Sequence, residues 1–315
     1  MSIQWYPGHI AKAEKALREQ LKRVDVVLEV RDARIPLATF HPRLPEWIGD
    51  KARVLVLNRM DAIAPSPQQA WNNWFRQQGE TPYFTNAQLG KGIKAVSLAA
   101  QAAGKAMNQR RRDRGMQPRP VRAVVIGFPN VGKSALINRL LKRKIVASAR
   151  RPGVTRQLRW VRISDRLELL DAPGVLPSKL TNQRAALKLA ICDDIGEAAY
   201  DNQRVAAGLI DLLKQLEADR SSHQSISQST EARSHPPNQA TQSSSGALSG
   251  ALSGVFLGGV RSRYDLDPAS FTGESYLVAL AEQHHQGNVE RSARQLLNDF
   301  RKGLLGAISL ELPPC

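Results

Sequence analysis

Cysteine is scarce in this chain, and its scarcity excludes two common ways of stabilising a fold. Cys192 and Cys315 are the only cysteines among 315 residues, and they are far apart in the sequence. A disulfide framework needs several cysteines, and a zinc site needs cysteines or histidines at short, regular spacing. We therefore predict free thiols in a reducing, cytoplasmic location.

Acidic residues and long apolar runs are also few. The chain has 28 Asp and Glu against 45 Lys and Arg, which gives a formal net charge of +17 and a pI of about 10.4. Such a basic chain favours a polyanionic partner. The sequence contains no apolar span of bilayer length and no signal-peptide pattern. We therefore expect RNA as a partner, and no membrane.

The most informative stretch is GFPNVGKS at residues 127–134. It follows an apolar, strand-like run at 123–126 and precedes a helix-like run at 134–140. A phosphate loop has this context, with backbone N–H groups of the loop and the helix start facing the phosphates. A glycine turn before an ordinary helix is disfavoured, because strand, loop, Lys-Ser and helix occur together. We predict that Lys133 reaches the β- and γ-phosphates and that the Ser134 hydroxyl ligates Mg²⁺.

A second motif follows, where residues 167–174 are typical of a strand that ends in Asp-Ala-Pro-Gly. Asp171 is placed to hold Mg²⁺ through a water, and the Gly174 N–H to sense the γ-phosphate. Alone this is also a good turn sequence, but its position after a phosphate loop strengthens the interpretation. Between the two motifs, we predict that Thr155 closes over Mg²⁺ and the γ-phosphate; a plain turn is the alternative.

The base-reading motif lies upstream of the phosphate loop. No Asn-Lys-x-Asp follows Gly174, but the buried-strand run 53–57 ends in Asn-Arg-Met-Asp at 58–61. We expect Asp61 to accept the N1 and N2 hydrogens of guanine, which adenine does not offer in that geometry. Arg59 replaces the usual Lys, and its long stem can pack along the base plane.

Another short strand ends at residues 83–87, and this end matches the loop that backs guanine O6 through a main-chain N–H. Each of these matches is weak alone, but their order, each at a strand end, makes coincidence a poor explanation. We therefore predict that GTP and GDP contact Asn58, Arg59, Asp61, Thr85, Asn86, Ala87, Asn130, Val131, Gly132, Lys133, Ser134, Ala135, Asp171 and Gly174.

The order of the motifs is a circular permutation of the usual GTPase, and the chain resembles the circularly permuted GTPases, specifically the ribosome biogenesis GTPase A family. Residues 5–13 are similar to that family's opening motif, and Asp-Ala-Arg-Ile-Pro at 32–36 is similar to its next signature. Residues 194–196 and 300–306 resemble its C-terminal domain. The resemblance covers nearly the whole chain except about 218–258. It departs at Arg59, at that polar insertion and in the altered segment around Cys192 and Asp193.

The resemblance also bears on catalysis. Val175 follows the Asp-x-x-Gly motif and has no group with which to orient the attacking water. The resemblance implies His9 for this role, although by sequence alone a His at a helix start is more often structural. Asn130 is similar to the Asn that supports a potassium ion in potassium-stimulated GTPases, which implies K⁺ beside Mg²⁺. The predicted catalytic residues are His9, Lys133 and Thr155.

We predict an α/β fold of two domains. Residues 1–178 form a circularly permuted P-loop GTPase domain, a mostly parallel sheet with flanking helices. A small all-helical domain at 179–315 would bind RNA or the ribosome. Within it, residues 218–258 are rich in Ser, Gln and Gly and are predicted to form a disordered insertion. Helix-like residues 92–112 suit the connector that the permutation requires.

Two basic helix-like stretches are candidates for an RNA-facing surface. In the stretch 288–302, an apolar stripe lies opposite three arginines, and the stretch 10–23 carries regularly spaced lysines. Solvated side chains on a surface helix remain the alternative in both cases. The predicted RNA-binding residues are Lys12, Lys15, Arg291, Arg294 and Arg301.

The combined prediction is a monomeric GTPase that binds ribosomal RNA and the precursor of the large ribosomal subunit as an assembly factor. Hydrolysis of GTP to GDP would drive its release. The choice of subunit follows from the resemblance, because charge and motifs alone give only a GTPase that binds RNA. The alternative is a nucleotide-sensing RNA-binding scaffold with negligible GTP turnover, in which Val175 reflects lost catalysis.

Overall fold

The computed structural model describes residues 8–142, 159–171, 177, 181–196, 200–231 and 256–314. The chain divides into two compact units, one of residues 1–200 with 311–315 and one of residues 201–310. The domain boundary predicted at 178/179 lies outside the described residues.

A six-stranded sheet forms the centre of the first unit. Its strand order is β3-β2-β1-β4-β6-β5, and every neighbouring pair is parallel except β5 with β6. The phosphate-loop strand β4 thus pairs with the N-terminal strand β1, and the sheet is mostly parallel, as predicted. The strands are β1 (Val26–Asp32), β2 (Ala52–Asn58), β3 (Pro82–Thr85), β4 (Val121–Ile126), β5 (Arg159–Ser164) and β6 (Leu167–Asp171).

Helices cover this sheet, and its central strand β1 is buried on both faces. All seven residues of β1 are buried, as expected for a parallel strand between two helical layers. Leu17 and Leu21 pack with Val124 and Leu170 in one core cluster. The first-unit helices are α1 (Gly8–Leu21), α2 (Leu44–Ile48), α3 (Pro65–Gln77), α4 (Ile93–Ala103), α5 (Lys105–Asp113), α6 (Lys133–Leu140) and α7 (Gln183–Ile191).

The connector predicted as one helix over 92–112 is two helices, α4 and α5, which meet at Gly104. A Cβ atom at Gly104 would lie 2.2 Å from Cγ2 of Val121, at the start of β4. The helix junction therefore packs directly on the phosphate-loop strand, and this close approach requires glycine.

The second unit is helical, with α8 (Asn202–Glu231), α9 (Gly258–Tyr264), α10 (Gly273–His285) and α11 (Val289–Arg301). Helices α8, α10 and α11 pack against one another, and the apolar stripe of α11 is buried at Ala293, Leu296, Leu297 and Phe300.

Helix α8 continues past position 218, where the disordered insertion was predicted to begin. Residues 218–231 contain neither Pro nor Gly, so nothing in them ends a helix. The rest of the predicted insertion, residues 232–255, lies outside the described residues. Among the described helices, none has the length and apolar character needed to cross a membrane.

Candidate nucleotide site

The predicted nucleotide motifs meet at one edge of the sheet. Parallel strands end on the same side, so the residues at their carboxyl ends become neighbours. The register pairs Asn58 of β2 with Asp32 of β1 and with Thr85 of β3. Asp171 of β6 pairs with Val125, two residues before the phosphate loop.

Two glycines allow the phosphate loop to pack closely on its neighbours. A Cβ atom at Gly127 would lie 2.2 Å from the Val30 carbonyl oxygen. Gly132 has φ of +102°, and a Cβ atom there would lie 2.2 Å from Nδ2 of Asn58. Helix α6 begins directly after Gly132, at Lys133, so its first N–H groups point out of this edge.

Asn58 joins the predicted base motif to the phosphate loop. Its Nδ2 donates to the Val131 carbonyl at 2.8 Å. Its Oδ1 accepts from Oγ1 of Thr85 and from the Ala87 N–H, both at 3.1 Å. The Ala87 N–H, in the loop predicted to back guanine O6, is therefore engaged with Asn58 here. Asn86 is buried and accepts from the Leu89 N–H at 2.8 Å, which shapes the same loop.

Arg59 makes a second link to the phosphate loop. It adopts a left-handed conformation with φ of +64°, and its Nη2 donates to the Asn130 carbonyl at 2.6 Å. The Asn130 side chain in turn donates to the Asp193 carbonyl at 2.6 Å. Asp61 lies in the next turn, is exposed, and makes no hydrogen bond or ion pair with a described residue. Its carboxylate is thus available to a ligand.

A buried ionic cluster lies behind these contacts. The Arg34 guanidinium donates two hydrogen bonds to the Asp32 carboxylate, from Nη2 to Oδ2 at 2.7 Å and from Nε to Oδ1 at 3.0 Å. Its Nη2 also donates to the Cys192 carbonyl. Arg59 lies 3.5 Å from Asp32 and 3.9 Å from Asp194. Asp32 and Asp194 are both fully buried. The cluster therefore connects β1, the base motif and the segment after α7.

The two carboxyl groups of this cluster have opposite pKa shifts. Burial opposes ionisation of Asp32, but the positive charges of Arg34 and Arg59 outweigh it and lower its pKa. Burial, followed by the negative charge of Asp32, raises the pKa of Asp194 well above its ordinary range. Neither carboxyl oxygen of Asp194 has a hydrogen-bond partner among the described residues.

Apart from Arg59, sequence reasoning gave the members of this cluster no role. Its only signals were the two signature segments of the resemblance, 32–36 and 194–196. Arg139 was also missed: its guanidinium donates to the carbonyls of Ala87 and Gln88, which holds the predicted base loop against α6.

The other predicted nucleotide residues fall into two groups. Lys133 is buried, and its Nζ donates to the Phe128 carbonyl at 2.7 Å, while Ser134 and Ala135 form the first turn of α6. Asp171 ends β6, and His9 lies in the first turn of α1, but their side chains lie outside what is described. Thr155, Gly174 and Val175 lie outside the described residues altogether.

The predicted RNA-facing residues are not equally available. Lys15 and Arg291 are exposed, while the Lys12 side chain is outside what is described. Nε of Arg294 donates to Glu290 at 2.7 Å, and Arg301 is half-buried and has partners within the chain.

Comparison with known proteins gives a consistent result. Residues 122–232 match a family model described as 50S ribosome-binding GTPase. The chain is 38% identical over 206 residues to ribosome biogenesis GTPase A of Bacillus pumilus, covering 65% of this chain and 73% of that protein. It is 40% identical over 207 residues to ribosome biogenesis GTPase A of Priestia megaterium, covering 65% and 72%.

The fold is also similar to solved structures. GNP-bound YlqF from T. maritima is 21% identical and covers 96% of this chain and 98% of its own, with a TM-score of 0.53. GDP-bound TM YlqF is likewise 21% identical, covering 95% and 99%, with a TM-score of 0.56. At this identity the likeness concerns the fold.

Proposed function

This chain belongs to the ribosome biogenesis GTPase A family and hydrolyses GTP, and from that premise we propose that it is an assembly factor for the large ribosomal subunit. Its GTP-bound form docks on pre-ribosomal RNA, and hydrolysis to GDP releases it. The net charge of +17 supports a polyanionic partner. Membership of a GTPase family favours turnover over the alternative of a scaffold without catalysis.

The observation that carries the proposal is the contact of Asn58 with the phosphate loop. This side chain bonds Val131, Thr85 and Ala87 at once, so segments far apart in the sequence lie next to one another, which supports a single nucleotide site. Asp61 then reads guanine, while the loop N–H groups and the α6 N-terminus receive the phosphates. Lys133 leaves the Phe128 carbonyl and binds the β- and γ-phosphates.

GTPases of this family generally use Mg²⁺. Ser134 and Asp171 offer the oxygen atoms that Mg²⁺ prefers, and the sheet register sets Asp171 beside the phosphate-loop strand. These residues and Thr155 would hold the ion, with phosphate and water oxygens completing its coordination. Mg²⁺ neutralises charge on the β- and γ-phosphate oxygens when bound.

Asn130 is the residue that we assign to a potassium site. Its Nδ2 is fixed by the Asp193 carbonyl, so the orientation of its amide is already set. Hydrolysis measured in KCl and in NaCl at equal ionic strength tests the assignment. Higher activity in KCl is expected for the wild type, and an equal rate in both salts would remove the potassium site.

His9 is the group that we propose to orient water, because the Val175 side chain has no hydrogen-bonding atom. His9→Ala should leave GTP and GDP affinities near wild type, since Lys133, the loop amides and Asp61 carry binding. Hydrolysis stimulated by ribosomal particles should fall by roughly 10²–10⁴, the usual contribution of a positioned acid–base group. Single-turnover rates at saturating particle concentration decide the matter, and unchanged rates would make His9 structural.

Co-sedimentation tests the function as a whole. With a non-hydrolysable GTP analogue, the protein should sediment with large-subunit precursors, and with GDP it should remain in the supernatant. Small subunits serve as the control. Equal sedimentation with both nucleotides would separate binding from the GTPase cycle and contradict the proposed release step.

A further inference from the structure

Helix α5 and the turn after it carry a dense cluster of positive charge. Residues 105–119 contain six basic side chains and one acidic side chain, that of Asp113. Arg110, Arg112 and Arg114 are exposed, and no described residue forms an ion pair with any of them. Arg112 donates only to the neutral Gln109 side chain, at 2.6 Å.

This segment is held rigidly. The Asn108 side chain donates to the Arg119 carbonyl at 2.9 Å and accepts from the Arg119 N–H at 3.1 Å. The Arg119 guanidinium donates two hydrogen bonds to the Asp25 carboxylate, at 2.8 and 2.9 Å. With Gly104 packed against β4, both ends of α5 are fixed. The exposed arginines are therefore presented by an ordered element, and binding through them requires little further ordering.

The helix dipole explains the presence of only some of these arginines. Cations in the last turn of a helix stabilise it, but Arg114 lies beyond α5, and neighbouring arginines repel one another. A bound polyanion relieves that repulsion. By contrast, Arg294 of α11 is paired with Glu290, which also accepts from Asn202. The predicted RNA-facing helix α11 is thus partly neutralised within the chain, and α5 is not.

The sequence also indicates which kind of polyanion would bind α5. No Phe, Tyr or Trp occurs between Phe84 and Phe128, so α5 and the turn after it carry no ring of their own on which an unpaired base can stack. Single-stranded RNA is usually bound by such stacking, whereas base-paired RNA is recognised through its backbone. We propose that α5 and the following turn dock on the phosphate backbone of a base-paired RNA helix. The inference rests on the proposed function, because the RNA is the partner assigned there.

The test uses two matched variants of the full chain. One carries Arg110→Gln, Arg112→Gln and Arg114→Gln; the other carries Arg291→Gln, Arg294→Gln and Arg301→Gln and loses the same charge from α11. A third variant, with Arg110→Lys, Arg112→Lys and Arg114→Lys, keeps the charge of α5. Binding to an RNA hairpin and to a single strand of equal length is measured over a range of salt, with GTP affinity as the check on folding.

The α5 Gln variant should lose about 2 to 3 in log–log salt slope on the hairpin, since each phosphate contact contributes about 0.7–0.9. At about 0.1 M salt this corresponds to roughly 100-fold weaker binding. The Lys variant and the α11 variant should lose much less. Wild-type affinity and slope in the α5 Gln variant would overturn the inference, and so would an equal loss on the single strand. A wild-type protein that binds neither RNA would instead contradict the proposed function.

Discussion

At the scale of single residues, Asp61 is the group to which we assign base choice. Asp61→Asn should weaken GTP binding and improve binding of xanthosine triphosphate, whose N1–C2 edge suits an amide. Unmatched polar groups in a site can discriminate by roughly 10⁴-fold. Titration of both nucleotides measures the switch, and Asp165→Asn, in the exposed turn between β5 and β6, is the control. Equal GTP binding by Asp61→Asn and wild type would remove Asp61 from the site.

Replacing Asp32 or Asp194 by Asn should change the stability of the first unit by different amounts. Asp32→Asn leaves the buried Arg34 without its counter-ion, and breaking a buried pair costs about 3–5 kcal/mol. Asp194→Asn should cost far less, because burial already favours the neutral carboxyl. All five tryptophans lie in residues 1–200, so urea unfolding followed by tryptophan fluorescence reports on the first unit.

The pH dependence of stability tests the same pair. The folded-state pKa of Asp194 is raised above its ordinary value of 3.8. Its stabilising contribution is therefore full below about pH 4 and lost as pH rises through the raised pKa. Asp194→Asn should gain stability relative to wild type between pH 4 and 8. A constant difference over that range would mean that Asp194 is ionised throughout. The folded-state pKa of Asp32 is lowered below its ordinary value of 3.8. Its contribution to stability is therefore present above about pH 4 and is lost as the pH falls through the lowered pKa.

At the scale of elements, the phosphate loop and the strand end at Asn58 act as one piece. Gly132→Ala would place a Cβ atom 2.2 Å from Nδ2 of Asn58, at a φ of +102°. Asn58 is held by Thr85 and Ala87, so relief would require both loops to shift. Overpacking of this kind costs about 1–3 kcal/mol, and we expect GTP affinity to fall roughly 10- to 100-fold.

Gly115→Ala is the matched control, because Gly115 has φ of +69° but no atom within 4 Å of its ideal Cβ position. It shares the backbone strain without the collision. Isothermal titration with a non-hydrolysable GTP analogue compares the two, and similar affinities in both variants would mean that the Asn58 contact is not needed for binding.

The elements were predictable where a local pattern determines them. Apolar runs before Asn58 and before residue 127 marked β2 and β4, and their polar ends marked the edge that carries the site. The break at Gly104 was not predictable, because it depends on the approach of Val121 from another element. The bond from Arg34 to the Cys192 carbonyl was not predictable for the same reason, because Cys192 is distant in the sequence. Only Asp32 is a sequence neighbour of Arg34.

At the scale of the whole molecule, the first unit includes residues from the far end of the described chain. The Glu311 carboxylate accepts from the N–H groups of Leu37 and Ala38 at 2.7 and 3.2 Å, and from Nζ of Lys188 at 3.1 Å. The Glu311 carbonyl accepts from Nε1 of Trp71 at 3.3 Å. One residue thus satisfies donors on three separate segments.

Glu311→Gln should destabilise the first unit by about 2–3 kcal/mol, since charge-assisted bonds to buried donors weaken when the acceptor is neutral. Urea midpoints from tryptophan fluorescence measure the loss. Glu282→Gln, at an exposed position of α10, is the control. If the two variants unfold at the same midpoint, residue 311 contributes no more than surface charge.

Glu311 also sets a condition on how this protein is made. About 110 residues of the second unit separate residue 200 from residue 311. At about 5–20 residues per second, translation needs about 5 to 20 s to cross that interval. During this time the donors of Leu37, Ala38 and Lys188 lack the Glu311 carboxylate that accepts their hydrogen bonds in the complete fold. Completion of the nucleotide-binding unit is thereby deferred until the helical unit has been synthesised.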